Sequence, residues 1–450
     1  MHAYPAGHVF YRKLTRSFPR IVAGDGCWLV DAEGRRYLDG CSGAFVASLG
    51  HGNGEIAAAM AEQASRVAYV NGTMFTHDPV EALAEELAAT LPGDLDHLYF
   101  LSSGSEAVEA ALKLARQYWV ERGAPQKRTI IALSPAYHGN TLLALSASAR
   151  GHYQTAFREW LVEVSRIPAP LAYRCDCGGA PHCPVCTGRA LEAAIERAGA
   201  ENVAAFIAEP VGGSSTGAAV PRPEYFVTVR ELCDRYDVLF VADEVLCGAG
   251  RTGSWWAIES TQVVPDIMVL GKGIAAGFAP LSGVAAPRRI VDVLARGSGS
   301  LLHAQTFSFH PVACAAGLAT VRHLQAHRLV ARCAAVGAVF QKKLAAVAAL
   351  PHVGDVRGRG LLAGIELVLD PGTRAPFPRA RRIAETVAEQ ALAAGLVVWP
   401  NVGHVNGTDG DLVMLAPPFI VTEAELDELV ARFATALERT LAIQGAGAVP

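Results

Sequence analysis

The amino-acid sequence predicts an α/β protein: a large domain whose mostly parallel central sheet is flanked by helices, plus a smaller α+β domain assembled from the N- and C-terminal segments. Three observations carry that expectation. From about residue 98 to about residue 290, short β-rich runs alternate with helical stretches. Those runs are apolar without polar alternation, as strands buried on both faces are, and such strands belong to parallel sheets covered by helices. Beyond about residue 320 the pattern changes to long helices with a few strands.

The elements follow in chain order. Up to about Gly50 the chain reads as short strands and turns, for example Trp28-Leu-Val followed by the turn Asp31-Ala-Glu-Gly34. The first well-marked helix opens at Asp78-Pro79-Val80-Glu81, read as an N-cap, a proline at the first helical position and an acid in the first turn, ahead of Leu83 and Leu87. Strands are expected at 97–101, 128–133, 203–208, 238–242, 266–270 and 282–286. The last helix opens with the capping box Thr422-Glu-Ala-Glu425 and buries Leu426, Leu429, Val430, Phe433 and Leu437.

Composition bounds the function. With 450 residues, 51% hydrophobic and 18% charged, and with 44 glycines and 25 prolines, the chain has material for a large core with many tight turns, which excludes disorder. Lys+Arg total 39 against 43 Asp+Glu, a net charge of −4, so no basic surplus exists to grip a nucleic-acid backbone. The longest charge-free run, 297–321, is broken by His303, Gln305, His310 and Pro311 and is no membrane span. The first twenty residues carry Arg12, Lys13 and Arg16 without an apolar stretch, so no secretion signal is expected. Ten cysteines, six scattered and four clustered, suit a reducing cytoplasm. Lysine is scarce, which makes Lys272, fed directly by an apolar strand, conspicuous.

Three familiar patterns are decoys. Gly248-Ala-Gly250-Arg-Thr-Gly253 matches a dinucleotide fingerprint but does not directly follow a strand, opens no helix and has no acid about 20 residues on. Gly213-Ser-Ser215-Thr-Gly217 matches a hydrolase elbow, yet Pro221 and Pro223 preclude the helix that must follow. Gly271-Lys272 is followed by Gly273 rather than Ser or Thr, so it is no P-loop.

The chemistry gathers instead where the strands end, which is where open α/β sheets bind ligands. The 238–242 run ends in Asp243-Glu244-Val245, the 203–208 run in Glu209-Pro210, and the 266–270 run in Gly271-Lys272-Gly273. The 128–133 run leads into Ser134-Pro-Ala-Tyr137-His138-Gly139, and the 97–101 run into Ser102-Ser103-Gly104-Ser105-Glu106-Ala107. Together they offer an anion cradle at a helix start, an aromatic ring, two carboxylates and a lysine between glycines.

In this combination the sequence resembles the class-III pyridoxal-phosphate (PLP) aminotransferases, the ω-aminotransferases of fold type I. The resemblance runs from Gly26-Cys-Trp-Leu-Val-Asp31 through Tyr37-Leu-Asp39 to Ala416-Pro417-Pro418. It implies a large PLP-binding domain over 51–325, with 1–50 and 326–450 contributing the small domain. It implies a covalent attachment of PLP to Lys272, and Asp243 beneath the pyridine nitrogen, since the ring is an electron sink only when that nitrogen is protonated. Gly104 and Ser105 would hold the phosphate, Tyr137 would stack on the ring with His138 behind it, and Val245 would pack on the other face. Glu209 would lie at the ring's 3-oxygen edge or gate substrate, with a structural Glu-Pro turn as the alternative. Thr306 matches a threonine that reaches the phosphate of the neighbouring subunit, which implies a homodimer with shared active sites, or a dimer of such dimers.

Two departures from the family pattern bear on substrate. Leu246 and Cys247 replace a common Gln-Thr pair, and Ala416 stands where many amino-acid-specific members carry an arginine. The loop 400–410 could deliver His404 or Asn406, and Phe45 and Trp28 would add aromatic wall. The expected activity is therefore ping-pong transfer of an amino group from an ω-amine or ω-amino acid to a keto acid such as pyruvate, through the pyridoxamine form of the cofactor. An aminomutase or decarboxylase on the same site is the alternative, and a non-catalytic relative would have no reason to keep Lys272, Asp243 and Tyr137 together.

One cluster stands apart: Cys175-Asp-Cys177-Gly-Gly-Ala-Pro-His182-Cys183-Pro-Val-Cys186. The C-x-C and C-x₂-C pairs could hold a structural zinc; otherwise they are free or redox-labile thiols in an insertion.

Overall fold

A computed structural model describes residues 7–445; residues 1–6 and 446–450, the extreme ends of the two outer segments, lie outside the described residues. Its centre is a seven-stranded sheet in the order Leu95–Leu101, Ser282–Pro287, Ile267–Leu270, Leu239–Asp243, Val203–Ala208, Thr129–Ser134, Ser165–Pro168. Ser282–Pro287 runs antiparallel to both its neighbours and the remaining pairs are parallel. Val203–Ala208, Leu239–Asp243 and Ile267–Leu270 are buried at every position, which is why these segments read as unbroken apolar runs. One core packs Phe206, Phe226, Phe240 and Trp256; another, on Leu101, Val241, Ile267 and Val269, is covered by the helix Gly104–Glu121 through Ala107, Ala111 and Leu114.

The strand expected nowhere is Ser165–Pro168. It is four residues long at the sheet edge and ends in proline, which an edge tolerates and a sequence pattern does not advertise. The helix expected to be capped by Asp78 begins one residue earlier in effect: Asp78 is its first residue, and His77 is the cap, its Nδ1 accepting the Val80 N–H at 3.2 Å. The capping box at Thr422 and Glu425 forms as read.

The two ends of the chain meet in one small sheet, where Arg36–Asp39 pairs in parallel with Leu396–Val397. A second four-stranded sheet, Val353–Arg359, Leu362–Leu367, Asp411–Leu415 and Trp399–Val402, is wholly antiparallel. The helices Leu329–Lys343, Ile383–Ala393 and Glu423–Ile443 share a core with both through Phe340, Val387, Phe433 and Leu437. Among the described residues no helix is long and apolar enough to cross a membrane.

Candidate active site

Parallel register decides which strand ends become neighbours. Ala208 pairs with Ala242, Asp243 with Val269, and Ala132 with Ile207. Glu209, Asp243, Lys272 and the Tyr137-His138-Gly139 turn therefore emerge side by side. Gly104, Ser105, Tyr137, His138, Gly139, Glu209, Ser214, Asp243, Val245, Leu246 and Lys272 line a cleft of ≈ 180 Å³ there.

At its floor lies Asp243, only 4% exposed. Its Oδ2 is 2.7 Å from His138 Nδ1 and its Oδ1 accepts the Val245 N–H at 3.1 Å. The carboxylate can only accept, so the proton between them sits on Nδ1. His138 is fixed in turn by donating its backbone N–H to Ser148 Oγ at 2.8 Å, and its buried Nε2 has no partner among the described residues.

Lys272 follows the buried strand Ile267–Leu270 and takes a left-handed φ of +45°. No hydrogen bond or ion pair engages its amine among the described residues; the nearest ring is Phe45, 6.0 Å away. Burial pushes the amine below the usual lysine range, against the opposing pull of Asp243, Glu209 and Cys247.

Gly104 and Ser105 open an 18-residue helix whose N-cap is Ser103, its hydroxyl accepting the Glu106 N–H at 3.3 Å. The Ser105 hydroxyl bridges to Asn140, donating to its side chain at 3.0 Å and accepting its N–H at 3.1 Å. Open space here depends on two glycines. A Cβ on Gly139, which has φ +141°, would meet Ser105 Oγ at 2.6 Å, and a Cβ on Gly104 would meet Val245 Cγ1 at 2.9 Å. The free N–H groups of a helix start, a floor carboxylate and an unpartnered buried amine together suit a small phosphorylated ring compound carrying an aldehyde.

Glu209, 7% exposed, accepts from the Gly213 N–H at 2.9 Å and the Tyr137 N–H at 3.4 Å. Burial raises its carboxyl to about 7. It thus braces the backbone of Tyr137 as well as lining the cleft.

Several expected residues lie elsewhere. Trp28 is not in the cleft: its indole N–H donates to Glu425 at 2.8 Å, with Arg36 and Arg432 over its ring, so it belongs to the small-sheet core. His404 is buried against Glu366 at 2.8 Å, and Asn406 is exposed and bonded to Asp409, so neither enters the cleft. Ala416 packs with Phe45 and Leu246, its carbonyl accepting from Ser42 Oγ at 2.7 Å. Arg251 spends its guanidinium on the carbonyls of Pro417 and Leu361 and stays structural. Thr306 is exposed and does not line the cleft of its own chain. Phe45 is 4% exposed with φ +64°, and Trp399 packs against its ring with centres 5.5 Å apart.

Two residues escaped the sequence reading. Ser214 comes from the very loop discounted as a hydrolase elbow. Arg150 is 9% exposed, with its guanidinium 5.5 Å from the Tyr137 ring centre and 3.4 Å from Ser214 Oγ. The available signal was a lone arginine shortly after the Tyr137-His138 turn.

A family model for class-III aminotransferases matches residues 11–437. The chain is 37% identical over 433 residues to the uncharacterized aminotransferase YodT of Bacillus subtilis, covering 95% of this chain and 98% of that one. It is 34% identical over 438 residues to the putrescine–pyruvate aminotransferase of Pseudomonas aeruginosa, covering 96% and 93% respectively. The crystal structure of a thermostable (S)-enantioselective ω-transaminase from Thermomicrobium roseum superposes with a TM-score of 0.91 at 36% identity, covering 97% of each chain.

Proposed function

The chain belongs to the class-III aminotransferases, which are PLP-dependent enzymes, and from that premise we propose that it carries an amino group from an ω-amine or ω-amino acid to pyruvate or a similar small keto acid in two half-reactions. The observation that carries this reading is the convergence of an unpartnered buried lysine with a His-anchored aspartate and a helix N-terminus in one cleft.

PLP, when bound, supplies an aldehyde that captures amines and a cationic ring that stabilises negative charge at the carbon losing its proton. Lys272 would hold it covalently, and its Nζ would be the group that moves the proton to and from the amine-bearing carbon. A lowered amine pKa suits both tasks, because the neutral form is the nucleophile and the base. Asp243 would keep the ring nitrogen protonated, and His138 fixes which way its carboxylate faces. Gly104 and Ser105 hold the phosphate with backbone N–H groups and a hydroxyl. Tyr137, Val245 and Glu209 line the same cleft, where they would bound the ring.

Substrate class follows from what the wall lacks and offers. Leu246 gives it apolar surface, backed by Phe45, 6.0 Å from the Lys272 amine, and by Trp399 on the Phe45 ring, and Ala416 offers no guanidinium. The putrescine–pyruvate relative and the ω-transaminase structure support donors without an α-carboxylate. The acceptor still brings a carboxylate, and Arg150, behind Tyr137 and Ser214, is the cation we assign to it.

A homodimer with shared sites completes the reading. The exposed Thr306 lies next to Phe307, 54% exposed in the single chain and with its ring 6.2 Å from that of the exposed Tyr69, an apolar surface that a second copy would cover. Ten free cysteines suit the cytoplasm. The direct test is a purified, PLP-loaded enzyme assayed against a panel of amines with pyruvate and 2-oxoglutarate. Alanine formation from a diamine supports the proposal; no amine-dependent consumption of either keto acid overturns it.

A further inference from the structure

The four clustered cysteines converge. Cys175 Sγ lies 3.5 Å from Cys183 Sγ, Cys177 Sγ lies 3.7 Å from Cys186 Sγ, and all four sulfurs fall within 4.8 Å of one another. None is in a disulfide. A disulfide would need about 2.05 Å between sulfurs. A tetrahedral tetrathiolate zinc, with Zn–S of about 2.3 Å, places its sulfurs about 3.8 Å apart. The Cys175–Cys183 and Cys177–Cys186 separations, 3.5 and 3.7 Å, lie close to that tetrahedral edge. Cys183 and Cys186 are buried while Cys175 and Cys177 are half-buried, so the cluster is closed on one side and reachable on the other. Gly178 and Gly179, at φ +57° and +85°, turn the chain immediately after Cys177 and send it back towards Cys183.

Arginines hold the segment that carries the cluster in place. Arg374 donates to the carbonyls of Tyr173 at 2.8 Å and Cys175 at 3.4 Å, and pairs with Asp176 at 3.3 Å. Arg222 donates to the carbonyls of Gly179 at 2.9 Å and Ala180 at 3.0 Å. Arg174, next in sequence to the first cysteine, pairs with the buried Glu366 at 2.5 Å. Arg374 and Arg222 thus brace the backbone on both sides of Cys177. We propose that Cys175, Cys177, Cys183 and Cys186 bind one structural Zn²⁺, outside the amino-transfer cleft, that staples this segment between the central sheet and the antiparallel sheet holding Glu366. The staple reaches the cleft indirectly. Glu366 also pairs with Arg357 at 2.8 Å, and Arg357 donates to the carbonyl of Thr216, in the loop that supplies Ser214.

The test uses untagged, PLP-loaded enzyme purified without chelators. Elemental analysis should find about one zinc per chain, and titration with an organomercurial should release it as the four thiols react. The double variant Cys183→Ser, Cys186→Ser should lose that zinc while retaining the visible cofactor absorbance, and should unfold at lower temperature. Less than a tenth of an equivalent of metal in the wild type, with four freely titrating thiols or two disulfides in its place, overturns the proposal. Zinc that persists undiminished in the double variant overturns it equally, because the ion would then be bound elsewhere.

Discussion

His138 and Asp243, 105 positions apart in sequence, meet through a 2.7 Å contact between Nδ1 and Oδ2 on the floor of the cleft, both of them almost fully buried. A carboxylate gripped in this way has its direction fixed. That is what a partner for a ring nitrogen requires, since an acid that protonated or rotated would leave the ring neutral.

Asp243→Asn should therefore still take up PLP, because the phosphate cradle and Lys272 are untouched, but should turn over on the order of 10²-fold more slowly. An amide cannot hold the pyridinium proton. A kcat within a few-fold of wild type would show that another group protonates the ring.

Lys272→Ala should abolish steady-state transamination and change the visible cofactor spectrum. Circular dichroism should be unchanged, because alanine, like lysine, carries a Cβ at φ +45° and adds no new backbone strain. Sustained multiple turnovers in this variant would refute the assignment of Lys272.

Glu209 couples pH to the lysine. With its carboxyl near 7, it is neutral below that pH and charged above it, and its charge raises the proton affinity of Lys272. Glu209→Gln removes that charge, so the Lys272 pKa should fall further. Uptake of PLP by apoenzyme needs the neutral amine, so its pH profile should shift to lower pH in the variant; an unshifted profile would uncouple the two groups. The stability sign follows from the same burial. A folded-state pKa raised from 4.5 to about 7 gives stability that is fully present below 4.5 and lost as pH rises to about 7. Apoenzyme should lose part of this pH dependence in Glu209→Gln, as read by denaturant midpoints across pH 4.5–7.

Arg150→Ala should raise KM for pyruvate roughly tenfold while changing KM for the amine donor little, and Arg150→Lys should recover part of the loss. Equal effects on both substrates would make Arg150 a support for the Tyr137 ring, not a carboxylate site.

Diamines, ω-amino acids and aryl-alkyl amines should exceed α-amino acids other than alanine in kcat/KM at fixed pyruvate. If the α-amino group of glutamate or ornithine wins by tenfold, about 1.4 kcal/mol of discrimination, a carboxylate clamp exists beyond the residues named. The same enzyme supplied with amine alone should stop after one equivalent of product, whereas an aminomutase would continue without a keto acid.

The sequence by itself determined which residues stand at the strand ends that line the cleft. Asp243, Glu209 and Lys272 each follow a run of buried apolar residues, and such a run can be read locally because a strand covered on both faces tolerates no polar position. The helix start at Gly104 and the capping box at Thr422 were legible for the same reason: they depend on residues within one turn. Tertiary structure alone decided the rest. Strand order brought Asp243 beside His138; packing drew His404 to Glu366 and Trp28 to Glu425; and the return of a distant loop set Ser214 against Arg150. Each of these is a long-range pairing chosen by what the whole core can bury and satisfy, and a local pattern holds no record of the partner.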